Sequence, residues 1–184
     1  MMSRRFSPTL TSLTMSWKTS ESSMRILGVD PSLRSTGYAI VEGNRKKQNV
    51  LEFGLIKTRS SESLEDSLKH IAASIEKVVQ EHSPDSLAIE NIFTARNSLV
   101  ALQLGHVRGV IIQVCTSCGL QIYPYAATTI KETVAGYGRA PKEQVQHMVK
   151  RTLGLTKTPP PDAADAIAAA LTHFYCYHQG ASGR

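Results

Sequence analysis

Residues 25–42 read RILGVDPSLRSTGYAIVE, and this stretch decides the fold. RILGVD (25–30) is an apolar run that ends in an aspartate, PSLRSTG has the residues of a turn, and YAIVE (38–42) is a second apolar run. Short apolar runs bounded by turn residues predict buried β-strands. A third run, VLEFGLIKT (50–58), follows a polar link. The sequence therefore predicts an antiparallel meander of three strands.

Helices and strands alternate after the meander. The predicted elements are a helix through Leu64, Leu68, Ile71, Ile75 and Val78, a strand at LAIEN (87–91), a helix from Leu99 to Val114, a strand at QIYPY (121–125), helical segments around TTIKETVAG and KEQVQHMVKRTLG, and an Ala-rich helix from Asp162. A strand–helix–strand crossover normally joins parallel strands, so LAIEN is expected beside RILGVD in the sheet centre. The predicted fold class is α/β, with a mixed sheet of three antiparallel and two parallel strands flanked by helices.

Carboxylates mark the ends of the two predicted central strands, where ligands gather in parallel sheets. Asp30 ends the first of these strands and Glu90 lies near the end of the other. In PPPDAADAIAAALTH (159–173), Asp162 and Asp165 share one helix face, although this fragment alone favours a capping and first-turn role for both. Burying unpaired acids together is costly. Four acids at one edge therefore indicate a site.

The chemistry of that site follows from its ligands. An all-oxygen set favours Mg²⁺ or Mn²⁺ over zinc. Two such ions about 4 Å apart activate a water and stabilise the leaving oxygen in phosphodiester hydrolysis. The formal net charge of +6 is compatible with a polyanionic partner. The sequence thus predicts a metal-dependent nuclease.

The cysteines and the hydropathy pattern bound the cellular setting. Cys115 and Cys118 form a C-x-x-C, and with His173 and His178 they could mimic a zinc finger, but the two pairs are too far apart. Buried structural cysteines in a reducing, intracellular setting are expected instead. No run approaches about 18 apolar residues, so no membrane span is expected.

The motifs resemble those of the RuvC-type Holliday-junction resolvases of bacteria, which have a ribonuclease-H-like fold. The similarity extends from Met24 to about His173, through ILGVDPSLRSTGYAIVE, LAIENIFTARN, LQLGHVRGVI, YPYAATTIKETVAGYG, APKEQVQHMV and PPPDAADAIAAALTH. The resemblance implies that the metal-binding acids are Asp30, Glu90, Asp162 and Asp165, the same four that the strand ends and the last helix bring together.

The resemblance also implies partners and products. It implies a homodimer in the bacterial cytoplasm that nicks four-way junction DNA symmetrically, leaving 5′-phosphate and 3′-hydroxyl ends. Two Mg²⁺ ions per subunit, replaceable by Mn²⁺, and a branch-migration complex of the RuvA–RuvB type would serve the reaction in homologous recombination and DNA repair. The helix from Leu99 to Val114 matches the dimer-forming element, with Gly105 and Gly109 allowing close approach of another backbone. A largely enclosed core helix is the alternative.

Further positions carry over from the family with alternatives. Phe93 matches an aromatic residue that stacks on an unpaired base, and the alternative is a core phenylalanine. Lys131 and Lys142 match basic residues needed for cleavage. The expected contacts to the DNA backbone are Arg34, Arg96 and Arg108. Exposed lysines and arginines are more often solvating surface. Ser32 departs from the pattern, because the family usually has glycine after Asp-Pro.

The nuclease domain is expected over residues 24–178. Residues 1–23 are rich in Ser, Thr and Arg without apolar periodicity, which predicts a disordered extension, a transit peptide or a mis-assigned start with Met24 as the true one. Residues 179–184 would be a short tail.

Three other classes of function remain as alternatives. An actin-like ATPase or sugar kinase needs a duplicated domain and a second phosphate loop, which 184 residues do not provide. A general ribonuclease H or transposase-like nuclease would keep the fold and change the target. A non-catalytic junction-binding module is disfavoured by the intact four acids.

Overall fold

The structure, a computed structural model, describes residues 23–91 and 98–177. Within these residues the elements are β1 (Met24–Asp30), β2 (Ser35–Gly43), β3 (Gln48–Lys57), α1 (Leu64–His82), β4 (Ser86–Asn91), α2 (Ser98–Ser117), β5 (Gln121–Ala126), α3 (Ala127–Ala135), α4 (Lys142–Thr152) and α5 (Pro161–Cys176). Every predicted strand and helix is present, with shifted ends. The predicted extension and tail lie outside the described residues, apart from Ser23.

The strands form one mixed sheet in the order β3-β2-β1-β4-β5. β1 pairs antiparallel with β2, and β2 with β3. β4 runs parallel to both β1 and β5. The predicted sheet, including the parallel contact between RILGVD and LAIEN, is confirmed. The carboxyl ends of β1 and β4 consequently lie side by side.

The sheet separates two apolar cores. Leu27 and Val29 face the core beneath α1 and α2. Ile26 and Ala88 face the other core, which is built with α3, α4 and α5. Because successive strand residues point to opposite faces, Asp30 falls on the α5 face, and so does Glu90 two positions after Ala88. One face therefore carries the acids.

Helix α5 lies against the sheet at the distance of backbone contact. A Cβ added to Gly28 of β1 would be 2.0 Å from the carbonyl oxygen of Ala166, and one added to Gly37 of β2 would be 2.0 Å from that of Asp162. Only glycine has no Cβ, so no other residue fits these positions without moving the helix. The alanines of α5 are buried and keep the helix surface thin on that side. These small residues bring the start of α5 to the sheet edge.

The start of α5 differs from the capping interpretation. The N-cap residue is Pro160, and no side chain caps the helix. Asp162 is the acidic residue of the first turn, where its charge complements the helix dipole. Its carboxylate is free of capping and accepts a hydrogen bond from another element.

Helix α2 is less enclosed than expected. Its buried residues are Val107, Ile111 and Cys115, which form a single stripe, whereas Leu99 and Leu102 are 61% and 57% exposed. Within one chain, the alternative of a largely enclosed core helix is therefore wrong, because apolar composition, without a strong period, does not indicate which sides are covered. By length and composition alone, α2 is also long and apolar enough to cross a membrane. The sequence did not indicate this, because α2 contains no long uninterrupted apolar run.

The cysteines are free thiols of differing exposure. Cys115 is buried, Cys118 is exposed, and Cys176 is intermediate. The expectation of buried cysteines holds for Cys115 and is wrong for Cys118, which lies beyond the end of α2. Burial, with a smaller contribution from Cys118, raises the pKa of Cys115 to about 12. A thiol that stays protonated is a poor zinc ligand. His178 lies outside the described residues.

Candidate active site

Three elements bring the four predicted acids to one edge of the sheet. The register pairs Val29 with Ile89, so Asp30 and Glu90 follow at adjacent positions of β1 and β4. Helix α5 starts above this edge, and its first two turns carry Asp162 and Asp165. The edge where ligands bind in parallel sheets is thus lined with carboxylates.

Burial and mutual repulsion control the ionisation of these acids. Burial, the charge of Glu90 and the charge of Asp165 together raise the pKa of Asp30 to about 8. Burial and the charge of Asp165 also raise the pKa of Glu90. The pKa of Asp165 is raised in the same way, chiefly by burial. In the metal-free protein the ionised forms are therefore destabilised, and a bound cation would restore them.

Two lysines partly offset this negative charge. Lys142 is the first residue of α4, and its Nζ lies 3.3 Å from Asp165 Oδ2 and 3.8 Å from Asp162 Oδ1. Although burial lowers the pKa of Lys142, the attraction of Asp165 outweighs it and the pKa is raised. The charge of Lys131, from α3, opposes the rise in the pKa of Glu90. Lys142 therefore contacts two of the acids, and the charge of Lys131 acts on Glu90.

A serine that was not predicted as a site residue also contacts one of the acids. Ser35, the first residue of β2, donates a hydrogen bond from its Oγ to Asp162 Oδ2 at 2.7 Å. The partners are 127 residues apart. Nothing in the local sequence distinguishes Ser35 from an ordinary turn serine, so only the placement of α5 reveals the contact.

The other predicted DNA-binding residues are placed unevenly. Arg34 lies in the exposed turn after β1, where its Nη1 donates to the carbonyl oxygen of Arg59. Arg108 is half-buried on α2, and among the described residues its Nε has no hydrogen-bond partner. Phe93 and Arg96 lie outside the described residues. Among the described residues, the structure records no contact of Arg34 or Arg108 with the four acids.

The serine that replaces the usual glycine lies in the same turn. Among the described residues the only non-glycine with positive φ is Ser83, so Ser32 adopts a backbone conformation open to any L-residue. Its amide donates to Thr36 Oγ1 at 3.3 Å. The departure from glycine therefore introduces no backbone strain beside Asp30.

A second polar group lies on the opposite face of the sheet. The ligand atoms of Glu52, Glu81 and His82 are within 4.8 Å of one another. They are already partnered, because Glu52 accepts from Tyr38 Oη at 2.6 Å and contacts His82 Nε2 at 2.7 Å, and Glu81 lies 3.7 Å from Lys77 Nζ. This group belongs to the packing of α1 on β3 and is separate from the four acids.

The donor set tests whether a metal fits the edge. Four carboxylates, without an imidazole or thiolate among them, match the oxygen ligands of hard divalent cations. Burial first, and repulsion between the acids second, raise the pKa values of Asp30, Glu90 and Asp165 despite the two lysines. The residues present therefore fit a divalent metal.

A mixed sheet with acids from β1, β4 and the last helix at its carboxyl edge defines a ribonuclease-H-like, metal-dependent nuclease. The model of one protein family, crossover junction endodeoxyribonuclease RuvC, matches residues 26–173 of this chain. This chain belongs to that family.

Relatives of known name agree with this membership. The crossover junction endodeoxyribonuclease RuvC of Syntrophotalea carbinolica is 43% identical over 155 residues, which cover 84% of this chain and 96% of the relative. That of Shewanella frigidimarina is 44% identical over 152 residues, covering 83% and 87%. The structure of T. thermophilus RuvC in complex with Holliday junction substrate superposes with a TM-score of 0.81 at 31% identity, covering 85% of this chain and 96% of that one.

A distant structure shares the fold alone. The yeast mitochondrial Holliday junction resolvase Ydc2 superposes with a TM-score of 0.59 at 10% identity. The similarity confirms the ribonuclease-H-like architecture.

Proposed function

We propose that this chain is a structure-selective endonuclease that resolves four-way DNA junctions by paired, symmetric nicks, leaving 5′-phosphate and 3′-hydroxyl ends. One observation carries the proposal: acids from β1, β4 and α5 meet at a single edge in a chain of the RuvC family. The solved relative from T. thermophilus, described in complex with a Holliday junction, supports this choice of substrate.

The metal is proposed to be Mg²⁺, two ions per subunit, with Mn²⁺ as a substitute. Asp30, Glu90, Asp162 and Asp165 would hold the ions. When bound, the cations supply activation of a water and neutralisation of charge at the scissile phosphate. The half-buried setting of the acids reduces their contact with bulk water and strengthens the electrostatic contacts there.

The chain's own residues complete the chemistry. Lys142 lies beside Asp162 and Asp165 and retains 55% side-chain exposure, so its ammonium remains available to a phosphate oxygen at the site. Lys131 supplies a second positive charge near Glu90. Both lysines are proposed to stabilise the negative charge that develops during hydrolysis.

Arginines and an aromatic residue are proposed to hold the junction. Arg34 and Arg108, together with Arg96, would contact the DNA backbone. Phe93, which follows β4 closely in the chain, would stack on an unpaired base near the cut. A branch-migration complex of the RuvA–RuvB type is the proposed partner, and the bacterial cytoplasm the proposed location.

The cleavage assay that tests this function compares three substrates in Mg²⁺. These are a synthetic mobile four-way junction, a linear duplex of the same sequence and an RNA–DNA hybrid. We expect paired nicks at symmetry-related positions of the junction, with ends that DNA ligase reseals, and little cutting of the other two. Cutting of the hybrid but not of the junction would replace junction resolution by ribonuclease H activity.

Replacing Lys142 with methionine is expected to slow junction cleavage by about 10²-fold, because the change removes one positive charge beside the phosphate site. Junction affinity should change by less than about 3-fold, since a single exposed charge contributes little to a large DNA interface. Single-turnover cleavage and equilibrium binding in Ca²⁺ measure the two quantities separately.

Lys150→Met, in the last turn of the same helix, is the matched control. It removes the same charge from α4 away from the acids and should leave cleavage nearly unchanged. If both variants cleave like wild type, Lys142 has no role at the phosphate.

The exposed face of α2 is proposed to form the homodimer interface. Leu99, Leu102, Gly105 and Gly109 follow one side of the helix, away from its buried stripe. A Cβ added to either glycine meets nothing within 4 Å in this chain, so a second backbone has room to approach. Pairing of this face would remove a large apolar surface from water.

Replacing Leu102 with glutamate is expected to convert the dimer to monomer, because it places a charge in the centre of that apolar face. Sedimentation velocity measures the mass, and the junction assay should show loss of simultaneous paired nicks. The control, Gln80→Glu, adds the same charge to the exposed surface of α1 and should remain dimeric. A Leu102→Glu dimer as stable as wild type would exclude this face.

A further inference from the structure

Strand β2 holds the start of α5 through Ser35 and Gly37, which lie two positions apart on the same side of the strand. Ser35 donates from its Oγ to Asp162 Oδ2 at 2.7 Å. Two residues on, the missing side chain of Gly37 leaves room for the carbonyl oxygen of Asp162. The backbone and the side chain of Asp162 are therefore fixed by the same strand.

The serine contact acts on the orientation of one carboxylate. An aspartate side chain rotates about two bonds, and a hydroxyl bonded to one of its oxygens restricts both rotations. Since Ser35 engages Oδ2, the other oxygen, Oδ1, is left toward Lys142, whose Nζ is 3.8 Å away. Lys142 is half-exposed and spans a longer distance, so it is a weaker restraint than the 2.7 Å hydroxyl bond.

The bond also has the strength expected of a positioning contact. A hydroxyl that donates to an ionised carboxylate makes a short, charge-assisted hydrogen bond. Contacts of this kind orient metal-binding side chains, and their removal weakens metal binding. Ser35 lies at the end of a paired strand, where the backbone is held by its partner Lys57 of β3. The donor is thus held on a rigid element.

We infer that Ser35 is a positioning residue for the metal site, which it serves by holding the Asp162 carboxylate in its binding orientation. This inference rests on the proposed role of Asp162 as a metal-binding acid. In this role Ser35 acts through Asp162 and is not itself a proposed metal ligand. Its removal should therefore weaken metal binding while the acids themselves remain.

A purely structural role makes a different prediction. If the hydroxyl only fastened α5 to β2, its loss would lower the melting temperature and leave the metal affinity of the folded protein unchanged. Threonine and valine separate the two roles. Both are β-branched and suit a strand, and they have nearly the same shape, but only threonine retains the hydroxyl.

Mn²⁺ binding to the DNA-free protein tests the inference directly. The electron paramagnetic resonance signal of free Mn²⁺ gives the affinity for wild type, Ser35→Thr, Ser35→Val and Asp162→Asn. We expect Ser35→Val to weaken Mn²⁺ affinity by about 10-fold and Ser35→Thr to stay within about 2-fold of wild type. In the junction assay the Ser35→Val defect should diminish as the Mg²⁺ concentration rises.

The Asp162→Asn variant separates failure of this inference from failure of the proposed metal site. Wild-type affinity in Ser35→Val, with weak binding in Asp162→Asn, would overturn the positioning role and leave the site intact. Wild-type affinity in Asp162→Asn would overturn both. Equal loss in Ser35→Thr and Ser35→Val would assign the effect to strand packing rather than to the hydroxyl and would also overturn the inference.

Discussion

An Asp30→Asn protein is expected to lose junction cleavage by about 10³-fold or more and, without metal, to be more stable than wild type. The loss of cleavage follows from removing the most buried of the proposed metal-binding acids. The gain in stability follows from the same burial. Because burial, and after it the neighbouring acids, raise the pKa of Asp30 to about 8, its ionisation opposes folding at neutral pH. An amide of the same shape carries no charge to oppose it.

The ionisation of Asp30 makes the stability of the metal-free protein depend on pH. A raised pKa in the folded state means that the native protein binds more protons than the unfolded chain between the ordinary value of 3.8 and about 8. The stability of metal-free wild type should therefore fall as pH rises through this window and level off above it. In Asp30→Asn this fall should be reduced, and the difference near pH 8 should be on the order of 2 to 5 kcal/mol.

Urea unfolding in EDTA measures this difference in stability for the two proteins, in buffers from about pH 5 to about pH 9. Glu76→Gln, on the exposed side of α1, is the control and should follow the wild-type curve. Parallel curves for wild type and Asp30→Asn would contradict the expected repulsion. Added Mg²⁺ should stabilise wild type more than the variant, since binding to the native state alone raises stability.

The second large effect is expected from Gly28→Ala. The added Cβ would be 2.0 Å from the carbonyl oxygen of Ala166 and 2.9 Å from the Cβ of Ala170. Neither atom belongs to a flexible side chain, so α5 must move away from β1. We expect destabilisation by about 3 kcal/mol or more. Because α5 carries Asp162 and Asp165, the cleavage rate of the folded fraction should fall as well.

Gly138→Ala is the matched control for the effect of one methyl group. There the nearest atom is the carbonyl oxygen of Thr128 at 3.3 Å, so a small adjustment suffices and the cost should stay below about 1 kcal/mol. Thermal unfolding and single-turnover cleavage measure both variants. A Gly28→Ala protein that unfolds at the wild-type temperature would show that α5 does not depend on this close approach.

Much of the fold could be predicted because its signals are local. Apolar runs and turn residues identified the strands, and the handedness of crossovers placed β4 beside β1, as the register of Val29 with Ile89 confirms. That register is also why Asp30 and Glu90 fall together. Asp162 and Asp165 were expected at the same edge because a last helix packed over the sheet can bring them there. Their role in metal binding stays a prediction.

The rest could not be predicted because it depends on contacts between distant segments. The bond from Ser35 to Asp162 exists only because Gly28 and Gly37 admit α5 to backbone contact. The available signal for this close approach of α5 in the sequence was a strand face built from glycine and alanine. Which side of α2 is exposed could not be predicted, because composition does not say which side of an apolar helix is covered.

The position of α5 along the chain has a consequence for synthesis. The proposed active site joins Asp30, from the first strand, with two acids that the ribosome adds more than 130 residues later. A nascent chain in which residues 161–176 have not yet been synthesised lacks Asp162 and Asp165. It also lacks the helix that fills one core. On the proposed site, we therefore expect nuclease activity to begin only after α5 has been synthesised and has packed on the sheet.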